Sequence, residues 1–282
     1  MTDQPLTPPP LGSTPPEMPA TLVPPPITDA TAGSKHYQSH FLIVYGVLGA
    51  ILLGALVGFG VLVVKPGAQP TPPWSTWQPA AGTVSQMTSA IADHVSHEYR
   101  VSAGGAQLVA IVPSKPTVTS GTTSIAIKAI AVRKVAQSNT GIEVLNSTGS
   151  EMFTFCGLGA RCSISTGTAT ALRGRLVRRE ALEVALYTFK FVPSLDSVIA
   201  FMPPPPGTTT TASVLFLRKQ NYTTELSRPL RTTLQRGIPP LPTEADLSEA
   251  GTIDALTLPS VFNYSLTALQ TGGAAIVLDP AT

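Results

Sequence analysis

Two cysteines, Cys156 and Cys162, are the only ones in 282 residues, and they stand at the two sides of a Gly-rich turn in FCGLGARC (155–162). Such a pair can ligate a metal, exchange electrons or close a disulfide. Zinc takes about four ligands, with cysteines commonly two to four residues apart in each knuckle, and this chain has no second pair. Redox enzymes favour Cys-x-x-Cys, which is not this spacing. A structural disulfide is the favoured expectation, with free buried thiols as the alternative ahead of metal or redox chemistry. Gly157 and Gly159 are expected to supply the positive φ values of a tight turn. On the chain-entropy view, closing so short a loop contributes about 2.4 kcal/mol.

A second group lies in RGRLVRR (173–179), where Arg173, Arg175, Arg178 and Arg179 crowd the front of a strong helix pattern. Guanidinium forks match the oxygens of phosphate or of an anionic polymer, so the cluster is a candidate anion site. Against this, Arg179 can pair with Glu183 one helical turn on, and positive charge at a helix N-terminus gains nothing from the dipole. A third group is DHVSHE (93–98), with Asp93, His94, His97 and Glu98 close together on a helix. It lacks the His-Glu-x-x-His order of a zinc protease, and a solvated helix face explains it better. There is no Gly-x-Ser-x-Gly elbow, Walker loop or dinucleotide fingerprint. No catalytic residue, metal or cofactor is expected. The sequons at Asn146, Asn221 and Asn263 matter only in a host that glycosylates.

These groups are positioned by a composite chain. Residues 1–40 hold ten prolines and few large apolar side chains, which predicts a disordered tail of polyproline II character. PLTP (5–8) and PEMP (16–19) match the spacing read by proline-recognising grooves, although so proline-rich a tail makes such matches almost unavoidable. Residues 41–64 are 24 consecutive residues without a charge. As a helix they reach about 36 Å, enough to cross a hydrocarbon core of about 30 Å. Within this expected span Gly46, Ala50, Gly54 and Gly58 recur every four residues and would line one face, a seam through which two copies could pack in the bilayer. Glycine is also simply frequent in membrane helices.

Residues 65–80 read as a proline-rich stalk carrying Trp74 and Trp77, which are expected to pack on a folded domain. Residues 81–282 are expected to form that domain, with α+β architecture, a mostly antiparallel sheet and two main helices. Val84, Met87, Ile91 and Val95 mark the first helix, and RLVRREALEVALYTFKFV (175–192) marks the second. Strands are expected at 107–112, 124–132, 142–146, 151–156, 197–202 and 213–219, with a hairpin joining 142–146 to 151–156. ALTL (255–258), VFNYSLTAL (261–269) and AAIVL (274–278) suggest closing strands, and a short helix near residue 225 should stop at Pro229. The segment 203–212, PPPPGTTTTA, is expected to be an exposed loop.

With 18 Lys+Arg against 16 Asp+Glu, and only 12% of residues charged, composition provides no electrostatic reason to expect nucleic acid. Lys35 and Lys65 leave the positive-inside rule evenly balanced, so orientation turns on the cysteines. A disulfide would place the domain in an oxidising space outside the cytosol and the N-terminal tail inside.

PPWSTWQP (72–79), IADHVSHEYR (91–100), FCGLGARCSI (155–164) and LVRREALEVALYTFKF (176–191) together resemble a set of uncharacterised single-span envelope proteins of high-GC Gram-positive bacteria. The resemblance runs from Trp74 to the C-terminus. It implies a recurring domain and a bacterial envelope, and it assigns no catalytic residue. The expected protein is thus a single-pass, membrane-anchored binder or scaffold, with the lipid bilayer and a protein or envelope component as partners. Alternatives are an envelope enzyme with a polar pocket drawing on His94, His97 and the arginines, or a signalling protein whose proline-rich tail docks in the cytoplasm.

Overall fold

The structure is a computed structural model that describes residues 44–56, 72–120, 122–138, 140–164, 167–204, 213–244 and 247–281. The chain divides into two units, Met1–Pro70 and Thr71–Thr282.

In the first unit the described residues form one helix, α1, over 44–56. Its apolar side chains are exposed throughout, among them Leu48, Ile51, Leu52 and Leu56. This stretch is about 20 Å long, and no helix among the described residues is long and apolar enough to cross a membrane. Gly46, Ala50 and Gly54 lie on α1, whereas Gly58, the proline-rich tail and the rest of the run 41–64 lie outside the described residues.

The second unit is a mixed α+β domain built on a nine-stranded sheet. Its helices are α2 (Val84–Glu98), α3 (Ala171–Phe191), α4 (Thr223–Ser227) and α5 (Leu247–Thr257). Its strands are β1 (Ala110–Ser114), β2 (Thr117–Ser120), β3 (Thr123–Arg133), β4 (Ile142–Asn146), β5 (Ser150–Cys156), β6 (Ser197–Phe201), β7 (Val214–Arg218), β8 (Val261–Ala268) and β9 (Ala274–Pro280). The spatial order is β1-β5-β6-β7-β8-β9-β3-β2, and β4 also pairs with β3. Pairings are antiparallel except for β5 with β6 and β3 with β9. The parallel pair β5–β6 is joined through α3, because parallel neighbours need a long crossover.

Alternation along the strands separates two cores. Phe153, Val198 and Leu217 point to the face covered by α2 and α3, while Met152, Ile199 and Phe216 point to the other. The second core also contains Ile130 of β3 and Ile276 of β9, strands well removed from β6 in the sheet order. Side chains from such separated strands can share one core only if the sheet curls over on itself.

Helix starts follow local chemistry. Thr83 caps α2, its Oγ1 accepting from the Gln86 N–H at 3.3 Å while Gln86 Oε1 accepts from the Thr83 N–H at 2.9 Å, a reciprocal capping box. Ile91, Ala92 and Val95 form the buried stripe of α2. Thr170 caps α3, which begins four residues before the stretch marked by sequence and is buried on nearly every side from Leu176 to Phe189.

Three expectations require correction. The stretches 142–146 and 151–156 are both strands but not a hairpin: β4 pairs with β3, and β5 lies between β1 and β6. The link between them is held to β3, with the Ser147 N–H donating to the Lys128 carbonyl at 3.3 Å and the Ser147 hydroxyl to the Ile127 carbonyl at 2.5 Å. ALTL is not a strand, because it closes α5 and enters a 3-10 turn at Leu258–Ser260. With α5 the described residues of the domain form three substantial helices rather than two.

Candidate functional site

Cys156 ends β5 and is bonded to Cys162 across the 3-10 turn Ala160–Cys162, with Cα atoms 4.3 Å apart. The positive φ values fall on Arg161 (54°) and Cys162 (62°) rather than on the two glycines expected to carry them. Gly157 is required for another reason: a Cβ there would lie 2.3 Å from the Ser163 carbonyl oxygen. The loop is drawn together by the Gly157 N–H donating to the Cys162 carbonyl at 2.9 Å and the Gly159 N–H to the Ser163 carbonyl at 2.7 Å.

The four arginines diverge along α3. Arg175 donates Nε and Nη2 to one oxygen of Asp254 on α5, at 3.0 and 2.7 Å. Arg178 donates Nη2 to the other Asp254 oxygen at 2.5 Å and Nε to the Thr257 hydroxyl at 3.1 Å. Hydrogen bonds from Arg175 first, then from Arg178, hold the Asp254 carboxyl below its ordinary pKa.

Arg179 is fully buried. Its Nε donates to Glu249, Nη1 to the Tyr99 hydroxyl and to Glu183, and Nη2 to the Arg236 carbonyl at 2.9 Å. Tyr99 in turn donates to Glu183 at 2.7 Å, and the Gln235 N–H donates to Glu249 at 2.8 Å. Burial alone would lower the guanidinium pKa, but Tyr99, Glu183 and Glu249 outweigh it and the net shift is upward. Beside this network Glu180 is fully buried, with neither carboxylate oxygen hydrogen-bonded among the described residues. Burial, reinforced by Glu183, pushes its pKa well above the usual carboxylate range.

Arg173 alone of the four turns to the start of α3 and is 6% exposed. Together with Arg178 it lines a cleft of about 560 Å³ whose other walls include Ile164, Val177, Met202 and Leu215. That volume lies within the range of small-molecule sites. Ile164 lies two residues beyond Cys162, so the segment leaving the disulfide loop and the first turn of α3 both contribute to the cleft wall.

The histidines lie elsewhere. His94 stacks on Trp77 with ring centroids 3.9 Å apart and meets Tyr187 edge-on at 5.6 Å. Trp74 also meets Tyr187 edge-on, at 5.3 Å, so both stalk tryptophans pack on the folded unit. Burial first, then the Arg231 charge, lowers the His94 pKa. His97 Nδ1 is 2.6 Å from the Asp93 carbonyl one turn back. Neither histidine lines the cleft that Arg173 and Arg178 share.

Asp254, Glu249 and Thr257 escaped sequence reasoning because α5 has weak periodicity and its acids lie some 70 to 79 residues from their arginines. Their only sequence signal was a pair of acids in a segment that begins with good helix formers. Comparison with protein-family models, curated proteins and solved structures finds no match for this chain.

Proposed function

We propose that this chain is a membrane-anchored protein whose folded unit lies outside the cytosol and serves as a binding or scaffolding module of the cell envelope, the kind of protein its sequence resemblance implies. The observation that carries the reading is the Cys156–Cys162 disulfide, a bond that persists in oxidising compartments. It is joined by the uncharged run 41–64, long enough as a helix to span a bilayer, and in this reading a domain outside the cytosol leaves the N-terminal tail in the cytoplasm. The stripe of Gly46, Ala50, Gly54 and Gly58 is the proposed face for self-association within the membrane.

Binding is favoured over catalysis by where the polar groups fall. An enzyme built on His94, His97 and the arginine cluster needs them in one cleft, and the histidines are absent from the cleft that Arg173 and Arg178 line. Arg175, Arg178 and Arg179 are engaged in fastening α3 to α5 and its neighbours, which is a structural task.

Alkaline carbonate extraction of membranes tests the anchor. The full chain should stay with the lipid pellet, and a variant lacking 41–64 should be released. Release of the full chain by carbonate would remove the anchor from the account.

A further inference from the structure

Another cleft, of about 830 Å³, opens where β5 and β6 begin and β7 ends. β5 and β6 run parallel in a register that sets Ser150 beside Ser197, and antiparallel β7 sets Arg218 beside Ser197 in turn. The two serines are 3% and 8% exposed with their hydroxyl oxygens 2.7 Å apart, so the most buried part of the lining is polar. Asp196, Gln220, Asn146 and Thr223 also line the cleft, and all four are exposed. The backbone of Asp196 is fastened on both sides, its N–H donating to the Gly149 carbonyl at 2.7 Å and its carbonyl accepting from the Lys219 N–H at 2.8 Å. Asn146 Oδ1 accepts from the Thr148 N–H at 2.8 Å, so what Asn146 offers a ligand is its amide NH2 donor. Leu145 and Leu226, both half-buried, add apolar surface.

This lining carries charge of both signs and both senses of hydrogen bonding. An anion placed here meets the Asp196 carboxylate, a cation meets Arg218 and Lys219, and an apolar molecule strips water from all of them. The two cations are partly committed already: Arg218 Nη1 donates to Glu143 at 3.0 Å and Lys219 Nζ to the Pro193 carbonyl at 3.2 Å. A guanidinium and an ammonium carry more N–H groups than these bonds use, which suits them to a neutral acceptor better than to a carboxylate. We propose that this cleft binds a neutral saccharide, its hydroxyls shared between the Asp196 carboxylate and the donors of Asn146, Gln220 and Lys219, and its C–H faces set on Leu145 and Leu226. A hydroxyl both donates and accepts, so adjacent positions on one sugar ring satisfy a carboxylate and an amide together. The proposal deepens the reading of the domain as a binding module and rests on it. Each of these bonds replaces one to water, so the affinity expected is modest, with Kd about 1 mM.

The test uses the full chain in nonionic polyoxyethylene micelles, whose head groups are not sugars. Saturation-transfer difference NMR is recorded with maltose, cellobiose, mannobiose and diacetylchitobiose as neutral probes. Glutarate, putrescine and alanyl-alanine serve as anion, cation and zwitterion. At about 10 mM, where a millimolar site is mostly filled, at least one disaccharide should receive saturation. The same disaccharide should shift the Leu145 and Leu226 methyl signals of leucine-labelled protein, and the three charged probes should compete with it at least about tenfold less well. Asp196→Ala should weaken binding about tenfold and Gln220→Ala about fivefold, the difference between a charged and a neutral hydrogen bond, each variant being checked for an unchanged melting midpoint. Failure of all four disaccharides to bind, methyl shifts confined to other leucines, or binding indifferent to Asp196→Ala in a folded protein overturns the proposal. Alanyl-alanine as the tightest probe also overturns it and assigns the cleft a peptide, leaving the reading of a binding module intact. Anchorage is decided separately by carbonate extraction, so failure of the saccharide site and failure of the anchored reading are told apart.

Discussion

Arg179 and Glu249 meet where neither reaches solvent: the guanidinium Nε on α3 donates to the carboxylate on α5, with side-chain exposures of 1% and 0%. The same guanidinium holds Glu183 and the Tyr99 hydroxyl, so one side chain fastens the end of α2, the middle of α3 and the start of α5. The pair Arg175–Asp254 joins the same two long helices at a partly exposed site, where the side chains are 26% and 25% accessible.

Arg179→Met should therefore destabilise the domain by about 3–5 kcal/mol, because it leaves buried acidic groups without their counter-charge. Arg175→Met should cost about 1 kcal/mol or less, since solvent screens the pair and Arg178 still holds Asp254. Urea titration of both variants with the disulfide intact measures the difference. Equal losses would contradict this division of roles.

Glu180 yields a pH prediction. Its folded-state pKa is raised by burial, so the folded protein keeps a proton that the unfolded chain releases above about 4.3. Unfolded chains then bind fewer protons than folded ones, and this group's contribution to stability falls as pH rises from that value toward its folded pKa. Burial raises Glu98 and Glu151 in the same direction, while the lowered pKa of Asp254 acts at more acid pH and with opposite sign. Glu180→Met should flatten the decline between pH 5 and 8 and leave stability at pH 8 unchanged or up to about 2 kcal/mol higher. A parallel pH profile for the variant would show that Glu180 does not titrate as described.

The disulfide loop should respond with opposite signs at two neighbouring positions. Gly157→Ala drives a methyl group into the Ser163 backbone and should cost about 1–3 kcal/mol. Arg161→Gly removes the penalty of a left-handed conformation at a side-chain-bearing residue and should stabilise by about 0.5–1 kcal/mol. Thermal unfolding of the oxidised variants reads both effects, and a stabilised Gly157→Ala would mean the loop closes differently.

Trp77 covers His94 by direct stacking. Trp77→Ala should expose the imidazole and move its pKa upward toward the ordinary histidine value, with the Arg231 charge still opposing protonation. NMR titration of the His94 ring protons follows the shift, and a pKa that stays put would assign the lowering to Arg231 rather than to burial.

Much of this architecture was readable in the residues, and the exceptions have physical causes. β6, β7 and β9 are apolar runs buried on both faces, and α3 consists of good helix formers, so local pattern and tertiary environment agree there. The false hairpin arose because sequence proximity suggested a pairing that sheet topology overrode. β4 alternates between exposed and half-buried residues while β5 is almost continuously buried, a difference that already separates an edge strand from a central one. β2, only four residues long, and α5, interrupted by Gly251, have patterns too weak to read. In the candidate site the chemistry of the arginines was legible, but not which of them would be claimed by α5. The glycines in FCGLGARC pointed to a disulfide for a partly mistaken reason, since Gly157 supplies close approach and the left-handed turn falls on Arg161 and Cys162.

The central claim, an anchored domain outside the cytosol closed by Cys156–Cys162, is tested most directly by thiol labelling of intact cells with a membrane-impermeant maleimide, before and after an impermeant reductant. These are the only cysteines in the chain, so the signal has one source. The account predicts no labelling at first and labelling of both residues once the reductant is added. Labelling that needs permeabilised cells and no reductant would place the domain, with reduced thiols, on the cytosolic side and contradict the account.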